Sequence, residues 1–188
     1  MIQLKGLDEK RILKISVIGP DRLGIVFKLA GIIKANGGNI IVQRSLKLAT
    51  DFALMMAVAF DSANVEGVAA VKKKLVGGVL GEGILVATTD SSVRDFYQEL
   101  RGTKYVLIAI GDDRMGIIES IGQLMVKHKL NIEAMDSEVV SHRPVQGTAT
   151  FTSTFETTIP ADFDMQGFES AIDQFESDTD VTIVIRPK

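Results

Sequence analysis

Leu13, Ile15 and Val17 alternate with Lys14 and Ser16, the period-two pattern of a strand. Ile25, Leu29, Ile32 and Ile33 then fall at i, i+4, i+7 and i+8, one face of a helix, and Asn36-Gly37-Gly38 supplies its stop. Residues 40–48 and 52–60 read as two strands joined by a short turn at Thr50-Asp51, which predicts a hairpin. Val68, Val71, Leu75, Val76 and Val79 mark a second helix, followed by a short strand over 84–87. The second half runs the same way. It predicts a strand over 105–110, a helix face of Ile117, Ile121, Leu124 and Met125, and strands over 132–140 and 148–155. A helix face of Phe168, Ala171, Ile172 and Phe175 and a strand over 181–185 complete it.

The predicted order is βαββαβ, twice. Two helices per four strands with a hairpin in the middle is the split βαβ, or ferredoxin-like, arrangement, an antiparallel sheet with helices on one face. The fold class is therefore α+β, with a first module over 1–90, a connector over 91–102 and a second module over 103–188. Within the connector, Ser92 and Asp95 have the spacing of a capping box opening a short helix through Leu100. The 52–60 strand is apolar on both faces, with Ala53, Met55, Ala57 and Ala59 opposite Phe52, Leu54, Met56, Val58 and Phe60. This predicts a second layer, within the chain or from another copy. Its counterpart puts Thr148, Thr150, Thr152 and Thr154 on that face, which can stay wet.

The halves share more than their element order. Ile18-Gly19-Pro20-Asp21-Arg22-Leu23-Gly24-Ile25 recurs as Ile110-Gly111-Asp112-Asp113-Arg114-Met115-Gly116-Ile117. Asn39-Ile40 recurs as Asn131-Ile132, all at an offset of 92 without a gap. The Asp-Arg-x-Gly-Ile segment sits where the first strand hands over to the first helix. Free N–H groups and a partial positive charge there suit a carboxylate or phosphate. Asp21 and Asp113 add an acceptor for a cation, so an amino-acid zwitterion is a sensible guest; alternatively each Asp caps its helix. Arg22 and Arg114 can grip a carboxylate or stand in solvent. Gly24 and Gly116, read as lying just inside the helix, would lower its stability by roughly 1 kcal/mol each relative to alanine, which implies close approach of backbone or ligand. Asn39 and Asn131 read either as turn formers or as site residues.

Composition narrows the function classes. The absence of cysteine excludes disulfides, thiolate nucleophiles and cysteine-ligated zinc, and it fits cytoplasmic residence. The longest apolar run, over 52–60, is about half the roughly 20 residues of a spanning helix, and the N-terminus lacks a secretory pattern. A net charge of −3 argues against nucleic acid as a direct ligand. Through residue 100 there are 13 basic and 10 acidic side chains, net +3; the remainder has 8 and 14, net −6. The two histidines, His128 and His142, have no metal-binding spacing, and neither a nucleophile elbow nor a phosphate loop occurs. Asp112-Asp113 has no further ligands in register for magnesium. The reading is a non-catalytic protein without metal or cofactor.

The segment Gly19-Pro20-Asp21-Arg22-Leu23-Gly24-Ile25 followed by Gly37-Gly38-Asn39-Ile40 resembles the ACT domain, an amino-acid-sensing module, and both halves match. Two such modules with no attached enzyme resemble the glycine cleavage system transcriptional repressor group. The resemblance implies an amino-acid ligand such as glycine or serine, a protein partner such as a transcription factor or enzyme, and association of copies. It also implies a guest held between the loop of one module, at Asp21, Arg22 and Gly24 or Asp113, Arg114 and Gly116, and the second-strand start of its neighbour. Those strand starts are Asn39 and Ile40 or Asn131 and Ile132. An interaction module without ligand, or a regulatory subunit of a metabolic enzyme, is the competing reading. The chain departs from the family pattern where Leu23 and Met115 replace a common loop proline. Asp112 stands where the first half has Pro20, so the two loops should not be equivalent.

Overall fold

A strand that pairs on both edges must present an unbroken ladder, and β1 (Lys10–Pro20) does so, antiparallel to β3 (Asp51–Asp61) on one side and β4 (Leu85–Ser92) on the other. The computed structural model describes residues 10–93, 102–141 and 149–188. The chain forms two compact units, residues 1–99 and 100–188.

In the first unit the sheet order is β2-β3-β1-β4, with β2 spanning Asn39–Leu48. Helices α1 (Ile25–Ala35) and α2 (Val65–Val76) cover one face. The alternation of β1 buries Leu13, Ile15 and Val17 against Leu29 and Ile33 of α1 and Val68, Val71 and Leu75 of α2, closed by Phe60. Burying a large apolar side chain stabilises the fold by about 1.5–3 kcal/mol, so this layer accounts for the helices' positions. Pairing of Leu48 with Asp51 leaves a two-residue turn, Ala49-Thr50, one place earlier than the Thr50-Asp51 turn expected, with Ala49 at φ 53°. A bulge between Ile40 and Val42 lets Ile40 pack on the helix side and Ile41 on the other.

The second unit repeats the plan with β5 (Thr103–Asp112), α3 (Ile117–Lys127), β6 (Ala134–Ser141), β7 (Ala149–Ile159), α4 (Met165–Thr179) and β8 (Thr182–Pro187). Its sheet order is β6-β7-β5-β8. Leu107, Ile121, Met125, Phe155 and Phe168 are its fully buried centre. The α+β, tandem ferredoxin-like fold is thus as the sequence predicts.

The differences have physical causes. β4 continues to Ser92 instead of stopping at 87, because an edge strand with one solvated face needs no apolar alternation beyond Val86; Thr88, Thr89 and Asp90 pair with β1 all the same. The first module's last strand therefore runs into the stretch assigned to the connector. The short helix expected through Leu100 falls on residues 94–101, outside those described, as do Thr148 and His142. The second strand of the second module starts at Ala134, so Asn131 and Ile132 precede it. The apolar face of β3 opposite the helices is covered only in part. Ala57 and Ala59 are buried with Ile12 and Val93, while Met55 stands exposed.

Candidate functional site

Helices start where their first N–H groups find acceptors or can remain open, and the four helices of the described residues divide on this point. Asn64 caps α2 by accepting from the Gly67 N–H at 2.9 Å, and Asp164 caps α4 by accepting from Gly167 at 3.0 Å. α1 and α3 carry no side-chain cap. Their N-cap residues are Gly24 and Gly116, in the left-handed region at φ 87° and 84°.

Two sequence expectations are corrected here. Asp21 and Asp113 do not cap their helices, since each lies three residues before the N-cap position instead of on it. Gly24 and Gly116 are not inside the helix, and a Cβ added at either would meet nothing within 4 Å. The positive φ requires glycine at these places, with no close approach by another group in the structure.

Backbone bonds fix both loops alike. The Asp21 N–H donates to the Thr50 carbonyl at 2.9 Å and the Asp113 N–H to the Ala149 carbonyl at 2.8 Å, tying each loop to the hairpin beside it. The side chains differ. Asp21 pairs with Lys47 at 2.9 Å, and Arg22 donates through Nη2 to the Glu82 carbonyl at 2.7 Å, bracing the loop after α2. Among the described residues, Asp113 and Arg114 have no such partner, and both are exposed. Leu23 and Met115 project fully into solvent.

The predicted strand-start residues lie elsewhere. Asn39 pairs with Ala59 at one end of β2, whereas the loop adjoins the other end, where Leu48 meets Asp51 and Asp51 meets Pro20. Nine residues of strand separate the two ends, about 30 Å. Asn39 is exposed; Ile40 is half-buried on the core. Asn131 is exposed and Ile132 half-buried against the second core. The structure therefore brings Asp21, Arg22 and Gly24 together, and likewise Asp113, Arg114 and Gly116, but neither loop with its own module's strand start.

Sequence reasoning passed over Lys47 and the Glu82 carbonyl. A signal for the second existed in Gly77-Gly78-Val79-Leu80-Gly81-Glu82-Gly83, whose glycines mark a loop that another group can approach. A Cβ at Gly81 would fall 2.3 Å from Arg22 Nη1. No group of three or more His, Asp or Glu side chains among the described residues is placed to hold a metal, and none of their helices is long and apolar enough to cross a membrane.

Residues 11–77 match the family model of the ACT domain. No curated protein sequence matches the chain. A solved structure of an unknown protein from Galdieria sulphuraria is 23% identical, with 96% of this chain and 99% of that one aligned at a TM-score of 0.77. A putative glycine cleavage system transcriptional repressor of known structure is 17% identical over 95% of this chain and 98% of its own, at a TM-score of 0.69. At these identities the likeness is one of fold. Residues 11–77 of the first module thus match the ACT domain by sequence, and the second module repeats the same element order and sheet order.

Proposed function

We propose that this protein is a non-catalytic regulator that binds a free amino acid, such as glycine or serine, at its strand-to-helix loops and alters its contact with a partner protein. A transcriptional regulator of amino-acid metabolism is the kind of partner meant. The observation that carries the reading is that α1 and α3, each following an Asp-Arg-x-Gly loop, are, among the described residues, the helices without a side-chain cap. Their open N–H groups suit the ligand carboxylate, and Asp113, or Asp21 once released from Lys47, suits its ammonium group. Asn39, Ile40, Asn131 and Ile132 contribute only if loop and strand start come from different copies of the module. The fold likeness to a glycine cleavage repressor makes glycine the first ligand to try.

The competing reading, an interaction module without ligand, is favoured by one observation: Asp21 and Arg22 are already engaged within the first module. A thermal-shift panel of common amino acids at millimolar concentration separates the two. At about 100 times its Kd a ligand adds about 2.7 kcal/mol, or about 5–10 °C in Tm for a chain of this size. The shift should shrink in Asp113→Ala and disappear in the Asp21→Ala, Asp113→Ala double variant. A flat panel removes the amino-acid reading and leaves the interaction module.

A further inference from the structure

The helix-free face of the first sheet is divided into a covered and an open half. At the Asp61 end, Ile12, Ala57, Ala59 and Val93 bury one another. Toward the hairpin turn the strand register sets Leu46, Ala53, Ile18 and Leu85 in one row across all four strands. Three of these are large and open, with Leu46 59%, Ile18 52% and Leu85 71% exposed. The next row places Met55, 65% exposed, beside Arg44, and the row after it carries Lys14. Isolated exposed apolar residues are ordinary; an aligned row across a sheet is a contact surface.

The same face of the second sheet is net acidic over the corresponding three rows, with Asp136, Glu138 and Glu156 against Arg186. Its register sets Glu138, Thr152, Ile110 and Thr182 in one row and Asp136, Thr154, Ile108 and Val184 in the next. Ile110 and Val184 are 43% and 49% exposed. Lys14, Arg44, Asp136 and Glu138 are all exposed, and none makes an ion pair among the described residues.

We propose that these faces meet between copies of this chain, the helix-free face of the first module in one copy seating on that of the second module in another. Charge selects this pairing over the symmetric ones. First on first would bring Arg44 and Lys14 together, and second on second would bring together Asp136 and Glu138, with Arg186 on that face only partly offsetting them; first on second sets opposite net charges around an apolar centre. Four strands at about 4.8 Å and three same-face rows at about 6.8 Å give a flat footprint on the order of 300–400 Å². Counted on both partners this is about 600–800 Å², below the roughly 1,000 Å² of a stable interface, so the contact is a weak one, reversible and concentration-dependent.

The test is sedimentation equilibrium of the full chain from about 1 to about 200 µM at low and moderate salt. The expected result is association that weakens with dilution and with salt. Arg44→Glu and Glu138→Lys should each lower the association constant at least about tenfold, and the two together in one chain should recover most of it. Met55→Glu, at an exposed position, should abolish association while circular dichroism and Tm remain those of the parent. A monomer across the whole range overturns the proposal. So does an oligomer indifferent to both reversals, or a double variant as weak as the two single losses combined.

Discussion

Replacing Gly24 by alanine isolates the energetics of a backbone conformation from those of packing. The residue stands at φ 87°, and an added Cβ would touch nothing within 4 Å. The loss therefore comes from placing an L-residue in the left-handed region, about 1–2 kcal/mol, partly offset by about 0.4–1 kcal/mol from a less flexible unfolded chain. A net destabilisation of about 1 kcal/mol is expected, and Gly24→Asn should cost less than alanine, since asparagine tolerates this region. Gly38 gives the contrast. It has no positive φ, and its Cβ would fall 2.7 Å from Phe60 Cζ and 2.8 Å from Ile33 Cγ2, both side chains being fully buried. Alanine there overpacks the core by about 1–3 kcal/mol, and asparagine, larger and polar, should be worse. Urea unfolding of the four variants measures all of these, and Gly116, at φ 84° with the same open space, repeats the experiment in the second module. Asparagine as costly as alanine at position 24, or milder than alanine at position 38, refutes the reasoning.

Two further substitutions probe polar groups that the fold treats differently. The Thr157 hydroxyl is buried, with its residue 1% exposed, and has no hydrogen-bond partner among the described residues. Thr157→Val keeps the shape and should raise stability by about 1 kcal/mol in urea unfolding; no gain would mean the hydroxyl is satisfied in solution. Asn64 accepts from Gly67 and also donates through Nδ2 to the Asn36 carbonyl at 2.9 Å, joining the start of α2 to the end of α1. Asn64→Ala should lower stability by about 1–2 kcal/mol by thermal denaturation, and Asn64→Asp, which keeps the cap and loses the donor, should fall between the two.

The fold was legible because both periodicities are clean. Leu13, Ile15 and Val17, and Ile25, Leu29, Ile32 and Ile33, sit on the faces their spacing predicts. β4 was truncated because Thr88, Thr89 and Asp90 on an edge strand carry no apolar signature, although their backbone pairing with β1 is regular. Ile132 reads as strand because it opens the 132–140 run at the repeat position of Ile40; its side chain packs on the core, but its backbone lies before the ladder begins. The candidate site was legible as a motif and not as a geometry. Spacing located both Asp-Arg-x-Gly loops, but left-handed glycines were mistaken for helix interior, because nothing in one sequence distinguishes a glycine kept for its φ from one kept for its size.

Why the same four residues behave differently in the two modules follows from their neighbours. In the first module Gly19 of β1 faces Phe52, which faces Lys47; in the second Gly111 faces Phe151, which faces Val139. The position that supplies the partner of Asp21 is therefore apolar beside Asp113. The other brace also has no counterpart. Residues 77–84 form the loop after α2 whose Glu82 carbonyl receives Arg22, whereas only residues 180–181 separate α4 from β8, too short a link to reach over the Arg114 side. The second loop thus keeps its carboxylate and guanidinium exposed, while in the first the same groups hold three segments together. A guest at the first loop must displace an ion pair that, being largely exposed, contributes about 0.2–1 kcal/mol, and one at the second need displace only water. If both loops bind the same amino acid, that difference alone makes the second the tighter by a factor of about 1.5 to 5.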